Sequence, residues 1–288
     1  AGQPFNLNIE WNLREMAQYW YGAFSLGSDS ANPGNLGTVN LDLHVVDDPI
    51  VVFPDANLDA AVHQAIDKPS GDIHQSDLDG LTMLEAESSG ISDITGLEFC
   101  TNLIGLDLWD NNISDIAALS NLTNLFVLAL EDNQISDIAP LSDLTNLWLL
   151  LLGGNTLSDV SSLGNLTGIA ILFLDDNLIE NIAPLSNLAS LEYLVLSDNR
   201  VSDISSLGNL TEIGLLFLDD NMIENIAPLS NLSSLRGLLL GDNWISDISP
   251  LGNLTGMMLL FLNYNLISDI EPLSNMDSLQ WLDLSING

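Results

Sequence analysis

The sequence predicts an α/β solenoid: a stack of short coils sharing one parallel sheet, not a globule built around a pocket. Three observations carry this. Asn111, Asn133, Asn155, Asn177, Asn199, Asn221, Asn243, Asn265 and Asn287 recur once every 22 residues without a slip. Each stands in one frame, as in Leu125-x-x-Leu128-x-Leu130-x-x-Asn133-x-Ile135. The chain also combines 47% hydrophobic residues with a formal net charge of -36. That combination requires apolar and acidic side chains to be sorted onto different faces, which a regular repeat does.

Residues 1–48 lie outside the repeat. Thr38 to Val46 alternates, with Val39, Leu41, Leu43 and Val45 on one face, as a half-buried strand does. Upstream are an aromatic cluster (Trp11, Tyr19, Trp20, Tyr21, Phe24) and a turn-rich stretch, Ser28 to Gly37. This segment reads as the tail of a β-sandwich module or as an N-terminal extension. Residues 49–80 read as a helical cap. Asp55 follows Pro54 and can cap a helix whose Leu58, Ala61, Val62, Ala65 and Ile66 fall at helical spacing. Lys68-Pro69-Ser70-Gly71 ends it, and a second short helical turn is expected over Ser76 to Gly80. Without a cap the first coil would expose its core and an unpaired strand edge. Residues 81–288 hold about ten coils, the first with Ser89 in place of the Asn and the last cut off after Asn287. Residues 164–207 nearly recur as 208–251, which implies duplication of a two-coil unit. A chain that starts at Ala1 and stops mid-repeat reads as a fragment or a processed form.

Within each coil the second and third Leu are two apart, so in a strand both enter the core while their neighbours point out. Stacked coils then make a parallel sheet with strands about 4.8 Å apart. The Asn should turn inward at the strand end and satisfy backbone groups of its own and the adjacent coil. The return segment, such as Ile138-Ala139-Pro140-Leu141, is too short for a long helix and suits 3-10 turns. Recurring Ser-Asp pairs, such as Ser136-Asp137 and Ser246-Asp247, suit local side-chain-to-backbone bonds that open those turns. The closer-packed strands put the sheet on the inside of the curve.

The 22-residue length, the Ile-Ser-Asp-Ile-x-Pro-Leu signature (Ile135 to Leu141, Ile245 to Leu251) and the Phe53-Pro54-Asp55 cap resemble bacterial leucine-rich repeat proteins of the internalin type over roughly 53–288. The resemblance implies a right-handed horseshoe with a concave parallel sheet, 3-10 turns on the convex side and an N-terminal helical cap. It also implies a secreted or cell-surface protein that binds other proteins on its concave face.

The outward sheet positions are apolar through the middle coils: Leu149, Leu151, Ile171, Phe173, Tyr193, Val195, Leu215, Phe217, Leu239, Leu259 and Phe261, with Trp281 in the last coil. Trp148, Trp244 and Tyr264 add aromatics at the flanks. A contiguous exposed apolar patch marks a binding site, and aromatics supply much of interface energy. Beside it runs an acidic row, Asp132, Asp176, Asp198, Asp220 and Asp242, preceded by Asp110. That row serves turn chemistry and solubility, or rims the interface and favours a basic partner.

Catalytic chemistry is not in evidence. His44, His63 and His74 have neither metal spacing nor a nucleophile motif. Cys100, the only cysteine, reads as core. Gln75-x-Asp77-x-Asp79-Gly80 lacks the closing Glu of a calcium loop, since Ala86 stands there, and reads as cap structure. The Asn-Leu-Thr tripeptides at Asn121, Asn165, Asn209 and Asn253 match the glycosylation pattern but follow from the repeat frame. No cofactor and no metal are expected beyond weak divalent cation binding by the acidic surface. Four basic residues against 40 acidic ones exclude nucleic acid. The apolar runs are too short to span a membrane, and no signal peptide is expected within these residues, in keeping with a fragment. The sequence therefore points to a non-catalytic module that binds a protein ligand on its apolar concave face. The alternative is a structural or adhesive spacer whose stripe mediates self-association. An enzymatic reading requires residues 1–48 to belong to a missing catalytic domain.

Overall fold

A computed structural model describes residues 23–24, 39–40 and 48–288. The chain divides into two units, Ala1–Asp48 and Pro49–Gly288. In the first, strands β1 (Ala23–Phe24) and β2 (Val39–Asn40) pair antiparallel. The rest of the expected Thr38–Val46 strand, the aromatic cluster upstream of Ala23, the Ser28–Gly37 turns and His44 lie outside the described residues.

The second unit opens with the cap. Strands β3 (Ile50–Val51) and β4 (Ile73–His74) pair antiparallel around helix α1 (Ala56–Ala65). Asp55 caps α1 as its position after Pro54 predicts: its carboxylate accepts from the backbone N–H of Asn57 at 2.9 Å and of Leu58 at 3.2 Å. Its other oxygen reaches the first coil, accepting from Ser92 N at 2.8 Å and Asp93 N at 3.3 Å. One carboxylate thus ties the cap to the repeats, and Leu58 and Val62 share the core of the coils. The helix ends earlier than Lys68: the backbone turns left-handed at Asp67, φ 52°, a conformation Asp tolerates. The second cap turn is a 3-10 turn at Gln75–Leu78, slightly upstream of the expected Ser76–Gly80. Asp77 holds it by accepting from His74 N and Lys68 Nζ, which ties this turn into the cap.

Ten parallel strands follow in strict sequence order, one per coil: β5 (Met83–Glu85), β6 (Gly105–Asp107), β7 (Val127–Ala129), β8 (Leu149–Leu151), β9 (Ile171–Phe173), β10 (Tyr193–Val195), β11 (Leu215–Phe217), β12 (Gly237–Leu239), β13 (Leu259–Phe261) and β14 (Trp281–Asp283). The register never slips: Leu172, Leu194 and Leu216 lie side by side, as do Phe173, Val195 and Phe217. Return segments are 3-10 turns, such as Ala183–Asn187 and Ala227–Asn231, each with Pro in its first turn, where a missing N–H costs nothing. The residue opening the return segment folds back as expected: Asp137 accepts from Ala139 N and Asp247 from Ser249 N, both at 2.8 Å, and Asn181 and Asn225 do the same for Ala183 N and Ala227 N.

Asparagines hold coil to coil. Asn177 is representative. Its Oδ1 accepts from Leu157 N at 2.9 Å in the preceding coil, and its Nδ2 donates to Leu152 O at 3.0 Å, Leu174 O at 3.1 Å and Asp175 O at 3.0 Å. The amide therefore satisfies buried backbone groups on both sides of a coil boundary, where each orphan would cost about 1–3 kcal/mol. Even in the first coil, Ser89 N finds its acceptor in Asn111 Oδ1. Cys100 is fully buried; burial first, then the Glu98 carboxylate, push its thiol up to about 12. It is core. Among the described residues no helix is long and apolar enough to cross a membrane.

Candidate ligand-binding face

The outward sheet positions form one surface in which the side chains lean on each other. Leu149, Leu151, Ile171, Phe173, Leu215, Phe217, Leu239, Leu259 and Phe261 are half-buried, not fully exposed. Phe173 and Phe217 recur two coils apart, and Tyr193 from the coil between fills the space. Its ring meets Phe173 at 5.0 Å (71° between planes) and Phe217 at 5.3 Å (74°), the edge-to-face geometry aromatic quadrupoles favour. Val195 corrects the expectation of an open position. Flanked in register by Phe173 and Phe217, it is 7% exposed. A smaller side chain between two larger ones is covered by them. At Gly237 the missing side chain is replaced from the adjacent coil, since an added Cβ would come 2.6 Å from Leu215 Cδ2.

The flanking aromatics have different settings. Trp148 stacks flat on Phe126, with centroids 5.6 Å apart and 5° between planes; Phe126, at the same position of the preceding coil, is not among the residues that the sequence pattern singles out. Trp281, on the last described strand, is 59% exposed.

The acidic row occupies a backbone requirement. Asp110, Asp132, Asp176, Asp198, Asp220 and Asp242 all adopt the left-handed region, φ 47° to 54°, and Gly154 takes the same place in its coil at φ 64°. Asp is among the few non-glycine residues that accept this conformation, so turn chemistry accounts for the row's residue type. Its electrostatics arise from neighbours the pattern did not single out. Glu131, Asp175 and Asp219 precede the row by one residue and are half-buried. Burial, reinforced by Asp107, Asp175 and Asp132, pushes the Glu131 carboxyl up to about 7. Burial and the charges of Asp176, Asp132 and Asp198 raise Asp175. Asp198 and Asp220 are raised likewise, by burial first and neighbouring aspartates second. Gly153 and Gly154 leave a notch into which Asp132 and Asp175 lean; an added Cβ on Gly153 would come 2.7 Å from Asp175 Oδ1. Among the described residues no three His, Cys, Asp or Glu side chains are placed to hold a metal ion.

The sheet face thus presents a central aromatic and aliphatic band bordered by carboxylates that form no ion pair among the described residues. The architecture has solved counterparts. An internalin (inlF) of Listeria monocytogenes aligns with a TM-score of 0.74 and 35% identity, covering 82% of this chain and 76% of that one. Internalin C2 of the same species aligns with a TM-score of 0.67 and 33% identity, covering 84% of this chain and 100% of that one. The chain belongs to the internalin family. Among curated proteins, Internalin H of Listeria monocytogenes is 43% identical over 63 residues, 21% of this chain and 12% of that protein. No protein-family model matches. As an internalin, the chain owes its regular coils to the family frame; what distinguishes it are the side chains mounted on that frame.

Proposed function

We propose that this internalin-family chain is a non-catalytic protein-binding module of a secreted or cell-surface bacterial protein, with its ligand on the concave sheet face. The observation that carries the proposal is the Phe173–Tyr193–Phe217 cluster set in a continuous band of half-buried aliphatic side chains. Rigid aromatics already packed against each other lose little conformational freedom on binding, which favours them as interface anchors. The carboxylate border suits a ligand with a basic rim around an apolar centre.

Peptides selected from a displayed random library against the wild-type repeats, then measured against Phe217→Asp, test this. The expected result is a loss of about 30-fold or more in affinity, as for an interface hot spot, with unchanged circular dichroism. Equal binding by both proteins rejects the concave site. Light scattering decides the alternative: a wild-type dimer that Phe217→Asp converts to monomer assigns the band to self-association.

A further inference from the structure

The two-coil duplication provides an internal comparison on the flank where the chain leaves each strand. Residues 164–207 recur as 208–251, so Glu180 corresponds to Glu224 and Arg200 to Trp244. In the first copy Arg200 Nη1 lies 3.9 Å from Glu180 Oε1. In the second copy the guanidinium is replaced by an indole that is 54% exposed. No basic side chain pairs with Glu224 among the described residues. The second copy keeps the anion, loses the cation and gains an aromatic face.

The surroundings extend this contrast. The residue after each ladder asparagine is exposed in every coil, and the scaffold accepts polar groups there: Asn112, Gln134 and Thr156. In the later coils it becomes Leu178, Met222, Trp244 and Leu266, between 41% and 61% exposed. Core formation does not explain that change, because these side chains do not enter the core. Trp244 also divides two grooves. One of about 520 Å³ is lined by Glu224, Asp247 and Leu266, and one of about 420 Å³ by Glu224, Asp203 and Met222. Both contain carboxylates and neither contains a cation. Asp203 and Asp247 are held below the ordinary carboxylate range by the N–H and hydroxyl groups of Ser205 and Ser249, so they stay charged.

We propose that this flank is a second binding surface, independent of the concave face. It takes an arginine-bearing segment of a partner protein, with the guanidinium on the Trp244 ring and paired with Glu224. Guanidinium stacks on an indole while donating to a carboxylate in its plane, and Glu180 with Arg200 shows the charge pairing inside the same chain. A second copy of the chain is a poor occupant, because each copy carries a net charge of -36 with 4 basic residues.

The test uses a labelled peptide of alternating arginine, glycine and leucine, titrated at about 150 mM salt to suppress diffuse attraction. Trp244→Thr leaves net charge unchanged and installs the residue that the frame already accepts at Thr156. It is expected to weaken binding about tenfold, with Glu224→Gln similar. Asp137→Asn, which removes a charge on the same flank far from Trp244 in sequence, should change affinity by about twofold or less. Equal affinities for wild type and Trp244→Thr would reduce the binding to general electrostatics and overturn the site. So would wild-type affinity in Trp244→Arg, which rebuilds the internal pair. Sedimentation showing a wild-type dimer lost in Trp244→Thr would overturn it in favour of a second copy.

Discussion

The ring of Tyr193 meets that of Phe217 edge to face, 5.3 Å between centroids, although the two residues belong to different coils and different columns of the repeat. The contact makes the aromatic band a unit. Tyr193→Ala removes both ring contacts and is expected to cost about 2 kcal/mol. Tyr193→Phe keeps them and should cost under about 0.5 kcal/mol. Urea denaturation of the two variants checks the difference; equal stabilities would show that the rings merely lie near each other.

Asn177→Ala leaves Leu157 N and the carbonyls of Leu152, Leu174 and Asp175 without their side-chain partner. The expected loss is about 3 kcal/mol. Asn177→Asp should be at least as damaging at neutral pH, because it aims a carboxylate at three carbonyl oxygens. Amide hydrogen exchange is the sharper measurement: Leu157 N–H should lose protection far more than amides several coils away.

Much of this was legible in the sequence. The spacing of Asn111 to Asn287 gave the coil, the parallel register and the inward amides, because one invariant geometric need recurs in every turn. Asp137 and Asp247 could be read as turn openers for the same reason. The outward side chains were legible as to column but not as to burial. Val195 is covered because its neighbours in register happen to be phenylalanines, a fact that lies across coils. Glu131 and Asp175 do not stand out in the frame because their perturbation comes from burial and from carboxylates of other coils, Asp107 and Asp175 for Glu131, Asp132 and Asp198 for Asp175. Val39–Asn40 shows the limit of alternation: the pattern marks it as strand without saying that it pairs with Ala23–Phe24.

The cap joint has a pH signature. Burial pushes the Asp55 carboxyl up, but the N–H groups of Ser92, Leu58, Asn57 and Asp93 outweigh it and hold it below the ordinary value. Its stabilisation is therefore present above the unfolded pKa of 3.8 and lost as pH falls through the lower folded value. Asp55→Ala should cost about 1–2 kcal/mol at neutral pH and progressively less in acid. A constant cost across that range would mean the carboxylate contributes only shape.

Glu131 behaves oppositely. Its folded value of about 7 exceeds the ordinary 4.5, so the folded state holds an extra proton between those values and stability falls as pH rises through that window. Discounted for partial exposure, removing the charge should stabilise by about 1 kcal/mol at pH well above 7. Glu131→Gln should thus melt higher than wild type at alkaline pH and match it below 4.5. Identical profiles for the two proteins would contradict the burial of this carboxylate among its acidic neighbours.

Calcium is expected to act on the acidic face by screening. At matched ionic strength, calcium and sodium chlorides should raise the melting temperature to a similar degree. A larger calcium effect at low concentration would show a defined ion site.

The most direct measurement of the concave-face proposal is hydroxyl-radical footprinting of the repeats with and without a selected peptide ligand. The ligand is expected to protect Tyr193, Phe173 and Phe217 while leaving the residues of the 3-10 turns unchanged. Protection confined to the convex turns, with Tyr193 equally reactive in both states, would contradict it.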